Sequence, residues 1–351
     1  MSALGDLLAE GVVPIDGGFA TELEALGYDL TDDLWSARLL NDGPEAVEAV
    51  HLNFLRAGAR VVITASYQAS QESFATAGLP RSDADFLLAS SVTLAQAARA
   101  TWQNEQPTAP ATLVAASLGP YGAMLAGGQE YTGDYDDADV PQLKRFHRPR
   151  MTALLGADPD LLAWETIPNL LEAEAIRDLQ AEYDGPTAWV SFQCRDAGHL
   201  ADGSTIEEAV RLVAKAPGVE AVGFNCTAPE YALELIERVR AAAPKLAIVV
   251  YPNDGRVWDG LRREWATGGA GGFPDDVVRS WVAVGANLVG GCCGVTPAGV
   301  TAIAHALRPY RNAWINFALG SDPKAKFNPT TLISWNQSST TSSWSEPASP
   351  G

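Results

Sequence analysis

Eight short apolar runs recur along this chain, and each ends in a cluster of small or polar residues before a stretch of helical periodicity begins. The runs fall near residues 11–15, 61–64, 112–116, 161–164, 188–192, 219–225, 246–250 and 286–289. The segment 44–57 shows what separates them: Val47, Val50, His51, Phe54 and Leu55 repeat at helical spacing, and Gly58 follows as a stop signal. Segments 83–100, 170–183, 205–214, 229–243, 274–284 and 297–307 read the same way, several of them opening on Pro or following Thr, Asn or Asp. Strands separated by helices run parallel, and eight such units close an α/β barrel of the (β/α)8, TIM type. A length of 351 residues accommodates it. The competing architecture, an open doubly wound sheet, places a phosphate-binding glycine turn after its first strand. Asp16-Gly17-Gly18 is led by an acid and does not fit that fingerprint.

The expected division is a barrel domain over 1–310 and a tail over 311–351. Residues 337–347 are rich in Ser and Thr, so the tail reads as low-complexity and disordered. Segment 119–150 falls outside the repeat and reads as a long loop on the catalytic face, where lids occur.

Polar residues cluster after the runs, which is the catalytic face of such a barrel. Three of the four cysteines lie there: Cys226 after the sixth run, Cys292 and Cys293 after the eighth, with Gly290, Gly291 and Gly294 around the pair. Adjacent cysteines seldom bridge each other, because the ring through one peptide bond is strained. Three thiolates suit a soft metal such as zinc and leave one coordination position open for chemistry. The alternative is cysteines packed as small hydrophobes. Cys194 also follows a run, but its long polar neighbours Gln193 and Arg195 set it apart. Zinc on three thiolates would bind a fourth thiol as thiolate, electron-rich and nucleophilic. None of His51, His147, His199 and His305 follows a strand directly, which argues against water activation. His147 and His199 sit in predicted loops, where they can line the cleft.

Asp16 and Glu165 are acids immediately after apolar runs. They are read either as a helix cap and a surface loop, or as a pair for a substrate ammonium, with the Gly17 and Gly18 amides receiving a carboxylate. The second reading describes an amino-acid zwitterion. Tyr67, Tyr121, Tyr131, Tyr135 and Tyr251 crowd the same ends. Ordinary loop packing explains them, and so does an aromatic cage for a cation.

A net charge of −19 offers no basic surface for nucleic acid or anionic membrane. No basic-then-apolar leader and no apolar run of membrane-spanning length is present, and four cysteines are too few for a disulfide scaffold. A reducing cytoplasm is the expected location.

With these pieces assembled, the chain resembles the zinc-dependent homocysteine S-methyltransferases, over roughly residues 12–307. The ordered set carrying the resemblance includes Asp16-Gly17-Gly18-Phe19-Ala20-Thr21-Glu22, Leu34-Trp35-Ser36-Ala37, Ser66-Tyr67-Gln68, Gly119-Pro120-Tyr121-Gly122 and Glu130-Tyr131. It continues through Gly133-Asp134-Tyr135, His147-Arg148-Pro149-Arg150, Glu165-Thr166, Asn225-Cys226, Tyr251-Pro252-Asn253 and Gly290-Gly291-Cys292-Cys293. The resemblance implies zinc on Cys226, Cys292 and Cys293, with homocysteine bound through its thiolate. Its amino-acid end would lie around Asp16, Gly17, Gly18 and Glu165, and Tyr67, Tyr121, Thr166 and Asn225 complete the expected substrate contacts. Ser66-Tyr67-Gln68 and the 131–135 loop resemble the branch using a sulfonium donor, S-methylmethionine or S-adenosylmethionine, rather than the betaine branch. Methyl transfer to homocysteine would give methionine. Two competing readings are a redox pair of Cys292 and Cys293, and a zinc-storage or thiol-sensing protein without catalysis.

Overall fold

The computed structural model describes residues 2–30, 35–256, 258–259, 264–265 and 269–310. Leu34 and the tail over 311–351 lie outside the described residues.

The eight expected strands are present: β1 (Val13–Pro14), β2 (Val61–Ile63), β3 (Leu113–Leu118), β4 (Leu161–Ile167), β5 (Ala188–Phe192), β6 (Val219–Asn225), β7 (Ala247–Tyr251) and β8 (Leu288–Val289). All neighbouring pairs run parallel, in the order β1-β8-β7-β6-β5-β4-β3-β2. A parallel bridge from Ile15 to Val61 joins the two ends and closes the ring. The fold is a (β/α)8 barrel, as expected.

Side chains alternate across each strand, and one set fills the interior. Leu113, Ala115, Leu161, Ala163, Trp189, Ala221, Val249, Tyr251 and Leu288 form this inner cluster. Leu4, Leu7 and Leu8 join it from a short helix, Ala3–Ala9, that seals the end of the barrel where the strands begin. Ser2 caps that helix by accepting from Gly5 N at 2.9 Å, and its hydroxyl donates to Glu220 at 2.6 Å. The alternate set faces the surrounding helices in a second, larger cluster that includes Val47, Val50, Phe54 and Leu55 of the helix Pro44–Ala57. Gly58 ends this helix in the left-handed conformation, at φ 108°.

One expectation is corrected. Segment 119–150 is not one long loop: it holds short helices at Tyr121–Leu125 and Gln129–Thr132, and from Val140 it becomes a barrel helix, Val140–Leu155. Asp139 starts that helix by accepting from Gln142 N at 2.7 Å, with Pro141 in the first turn. Leu143, Phe146, His147, Arg150, Met151 and Leu154 form its buried face. Among the described residues, no helix is long and apolar enough to cross a membrane.

Candidate active site at the strand ends

The C-terminal ends of the strands converge on the three cysteines. Asn225 closes β6, and Cys226 follows in the left-handed region at φ 46°. This uncommon conformation turns the chain sharply, so that Cys226 meets the Gly290–Cys293 segment after β8. Gly291 N donates to Asp16 O at 3.0 Å, and Cys292 N donates to Pro252 O at 2.8 Å. The Cys292–Cys293 turn is thus tied to the ends of both β1 and β7. Two glycines permit the approach: a Cβ on Gly18 would lie 2.7 Å from the Cys292 carbonyl oxygen, and one on Gly290 would lie 2.6 Å from Asp16 O.

Cys226, Cys292 and Cys293 are the one group of three or more His, Cys, Asp or Glu among the described residues with ligand atoms close enough to hold an ion, all within 4.8 Å. Cys293 Sγ lies 3.8 Å from Cys226 Sγ and 4.0 Å from Cys292 Sγ. A tetrahedral zinc with Zn–S bonds near 2.3 Å separates its sulfurs by about 3.8 Å, so these two edges fit the ion. The third edge, Cys226–Cys292, is closed as a disulfide with Cα atoms 5.5 Å apart, and it must be reduced before all three sulfurs can ligate. The pairing corrects the redox alternative, which joined Cys292 to Cys293; the latter is free. Burial pushes the Cys293 thiol up to about 12, against the lowering effect of its own backbone and of Arg256. Metal binding would therefore release a proton there near neutral pH. Cys194 is also free but fully buried apart from this group, its Sγ raised by desolvation, so it stands outside the donor set.

Asp16 is buried and does not cap a helix; its Oδ2 accepts from Ile63 N at 2.7 Å. Glu165 is buried too, rather than in a surface loop. It accepts from the Ser117 hydroxyl and, at 3.2 Å, from Tyr251 OH. Desolvation raises both carboxyls, Asp16 well above its ordinary range and Glu165 to about 7. The negative charge of Glu165 adds to the rise at Asp16. Burial disfavours the charge of both acids, and the charge of Glu165 disfavours that of Asp16 further.

The register between β4 and β5 slips between Trp164 and Ile167, and Thr166 there has φ 61°. The Asn225 side chain braces this bulge: Thr166 N donates to Asn225 Oδ1, and Asn225 Nδ2 donates to Thr166 Oγ1, both at 2.7 Å. Ser191 Oγ also donates to Asn225 Oδ1, at 2.8 Å. The side chains of Thr166 and Asn225 are thus engaged with each other. Gly18 N donates to Val295 O at 2.9 Å, so that amide is occupied as well.

Of the aromatic residues, Tyr67 lies within electrostatic reach of Glu165 and Tyr131 within reach of Cys293, whereas Tyr121 and Tyr135 pack in a separate cluster with Leu143 and Ala175. Burial holds the Tyr67 phenol well above its usual range, with Glu130 and Tyr131 adding to the effect and a hydrogen bond to Thr166 opposing it. Tyr131 is raised likewise, by burial first and then by the Cys293 sulfur and Glu130. Tyr121 and Tyr135 meet edge to face, with centroids 5.4 Å apart. Of the two histidines expected in loops, His147 is fully buried in the helix Val140–Leu155, and His199 pairs with Asp196 at 2.9 Å. Sequence reasoning assigned no role to Glu172, Ser117 or Ser191, which the structure brings into the networks around the mouth. Their signal was position alone: the serines occupy inward-facing places on β3 and β5.

The homocysteine S-methyltransferase family profile matches residues 13–307. The chain is 44% identical to homocysteine S-methyltransferase of Escherichia coli K12 over 295 residues, 84% of this chain and 94% of that protein. It is 45% identical to homocysteine S-methyltransferase 4 of Zea mays over 310 residues, 86% of this chain and 90% of that protein. Among solved structures, the metallated form of the E. coli homocysteine methyltransferase MmuM superposes with a TM-score of 0.77 at 43% identity, covering 86% of this chain and 98% of that one. Its oxidised form gives 0.76 at 44% identity, covering 84% and 95%.

Proposed function

This chain belongs to the homocysteine S-methyltransferase family, and from that premise we propose that it methylates homocysteine at a zinc site of Cys226, Cys292 and Cys293, using a sulfonium donor. The observation that carries the reading is the meeting, in one barrel mouth, of three thiols with the buried acid pair Asp16 and Glu165. When bound, the ion would keep a fourth sulfur ligand ionised near neutral pH.

The chain's own residues supply alignment. Asp16 and Glu165 would hold the ammonium of homocysteine, while Gly17, beside the occupied Gly18 amide, would receive its carboxylate. This grip directs the thiol end toward the cysteines, because the Asp16 carbonyl is bonded to Gly291, next to Cys292. Thr166 and Asn225 would form the wall between acid pair and thiols. Tyr67, Tyr121 and Tyr131 would face the cationic donor and attract it through their ring faces. The homocysteine sulfur then forms a bond to the donor methyl as the donor's own sulfur–methyl bond breaks. The electron pair of the broken bond stays on the departing sulfide, which leaves neutral and needs no proton. No acid is required, consistent with the burial of His147 and His51 away from such duty.

Methionine formation from homocysteine with S-methylmethionine, S-adenosylmethionine or betaine, on reduced protein with its metal quantified, tests the reading. About one zinc per chain with turnover of a sulfonium donor supports it. Turnover with betaine alone overturns the donor assignment. Zinc without any turnover overturns the catalytic reading in favour of thiol sensing.

A further inference from the structure

Beside the backbone of Tyr67 and Tyr121 lies a polar cluster that touches neither cysteine nor acid pair. Arg150 is fully buried and donates to four backbone carbonyls: Ala69 O and Gly119 O at 2.8 Å, Tyr67 O at 3.0 Å and Ser66 O at 3.3 Å. These carbonyls belong to the loops after β2 and β3. Glu172, also fully buried, accepts from Tyr121 N at 2.7 Å and Tyr135 OH at 2.6 Å. His147 joins the two. Its Nε2 is 2.7 Å from Glu172 Oε1, and its Nδ1 is 3.4 Å from Arg150 Nη1.

The neighbours dictate the imidazole tautomer. A guanidinium only donates, so Nδ1 must accept, and Nε2–H must donate to Glu172. Burial lowers His147 below its ordinary range, which keeps it neutral against the pull of Glu172. Burial also lowers the Arg150 guanidinium, to about 10, so it stays charged at neutral pH. Glu172 and, farther out, Glu72 act on Arg150, as does Tyr67. The result is a chain from guanidinium to imidazole to carboxylate, with its two charges offset inside the protein. Arg150 bonds both sides of a close contact, Gly119 O and Tyr67 O, where a Cβ on Gly119 would lie 2.4 Å from Tyr67 O and 2.6 Å from Tyr67 Cδ2.

We propose that Arg150, His147 and Glu172 are positioning residues for the methyl donor: together they hold the loops carrying Tyr67 and Tyr121 and the segment carrying Tyr135 as one wall. They touch no substrate and act through those tyrosines. A lysine cannot replace Arg150, since one ammonium cannot reach four carbonyls in diverging directions. The inference rests on the reading that the donor, not homocysteine, lies against these tyrosines.

The test compares Arg150→Lys, His147→Asn and Glu172→Gln with Arg60→Lys. Arg60 is a buried arginine at the opposite end of the barrel, bonded to Ala111 O at 2.6 Å and Glu10 at 3.1 Å. Each protein is assayed, on whichever donor the unaltered enzyme turns over, for KM of donor and of homocysteine separately, for bound zinc, and for thermal midpoint. The three cluster variants should raise the donor KM by about tenfold or more while homocysteine KM and zinc content stay within about twofold. Arg60→Lys should lower the midpoint and leave both KM values in place. An equal rise in the two KM values, loss of zinc in step with activity, or unchanged donor KM overturns the proposal. If one variant does not fold, the other two decide by the same criteria. Failure of the unaltered enzyme with sulfonium donors but success with betaine would overturn the donor class and leave this comparison intact.

Discussion

The Asn225 amide grips Thr166 at two points, its backbone N–H and its hydroxyl, each at 2.7 Å. Thr166 is left-handed, and so is Cys226, the neighbour of Asn225. The side chain that braces the strained corner on β4 is thus carried by the residue next to the strained corner after β6. Asn225→Ala leaves buried donors without acceptors, at a cost of about 1–3 kcal/mol for each group left unpaired. It should also weaken metal binding about 10–100-fold, because Cys226 loses its fixed direction. Calorimetry and competition with a zinc chelator measure the two effects. Unchanged zinc affinity would show that Cys226 is oriented by its own backbone alone.

Replacing any one of Cys226, Cys292 and Cys293 by Ala should lower bound metal and activity together. A catalytic ion supplies several kcal/mol, so the rate loss should be roughly a thousandfold or more. Cys194→Ala, outside the donor group, should change neither. Metal analysis beside a methionine assay, both under reductant, checks this. Retained activity in metal-free Cys293→Ala would remove zinc from the mechanism.

Glu165, raised by burial from 4.5 to about 7, gives a pH signature. Its carboxyl gains charge as pH rises through that value, so kcat/KM for homocysteine, which reports the free enzyme, should rise and level off above it. Stability moves the other way. The folded form holds this proton more tightly than the unfolded chain, so the contribution is complete below about 4.5 and is lost as pH rises through about 7. The difference is of order 3 kcal/mol. Glu165→Gln should flatten both profiles and raise the homocysteine KM. A profile that persists in the glutamine variant would assign the titration to another group.

Leu4, fully buried at the sealed end of the barrel, should matter to stability alone. Leu4→Ala should cost about 2–5 kcal/mol, while kcat and both KM values of the folded protein hold. Thermal melts with parallel kinetics check this; altered KM values would mean that the two ends of the barrel are coupled.

The barrel was legible because its strands are nearly continuous apolar runs, as strands buried on both faces must be, and the runs end in Asp16, Glu165 and the cysteines. Strand ends also pointed to a thiol site, since chemistry collects there, but homocysteine methyl transfer was legible only through the ordered family motifs from Asp16-Gly17-Gly18 to Gly290-Gly291-Cys292-Cys293. The helix Val140–Leu155 was not legible. Lys144, Arg145, Arg148 and Arg150 with Pro149 mask its apolar face, and the burial of Arg150 depends on carbonyls from residues about 30 to 80 positions away. Nor did spacing reveal that Asn225 and Thr166, on strands separated by β5, would satisfy each other. Pairings of that kind exist only after the barrel has curved.

The partners of β8 lie far apart in the chain: Leu288 sits beside both Val13 and Val249. Cys292 and Cys293 arrive with this last strand, whereas Cys226 has been made long before. A ribosome must therefore release almost the whole barrel before the three thiols can gather, and the ring cannot close until its first strand meets its last. A nascent or truncated chain lacking that final segment would hold the acid pair but no complete thiol group. Metal binding at the three cysteines would thus double as a checkpoint on assembly, available only to molecules whose two ends have already found each other.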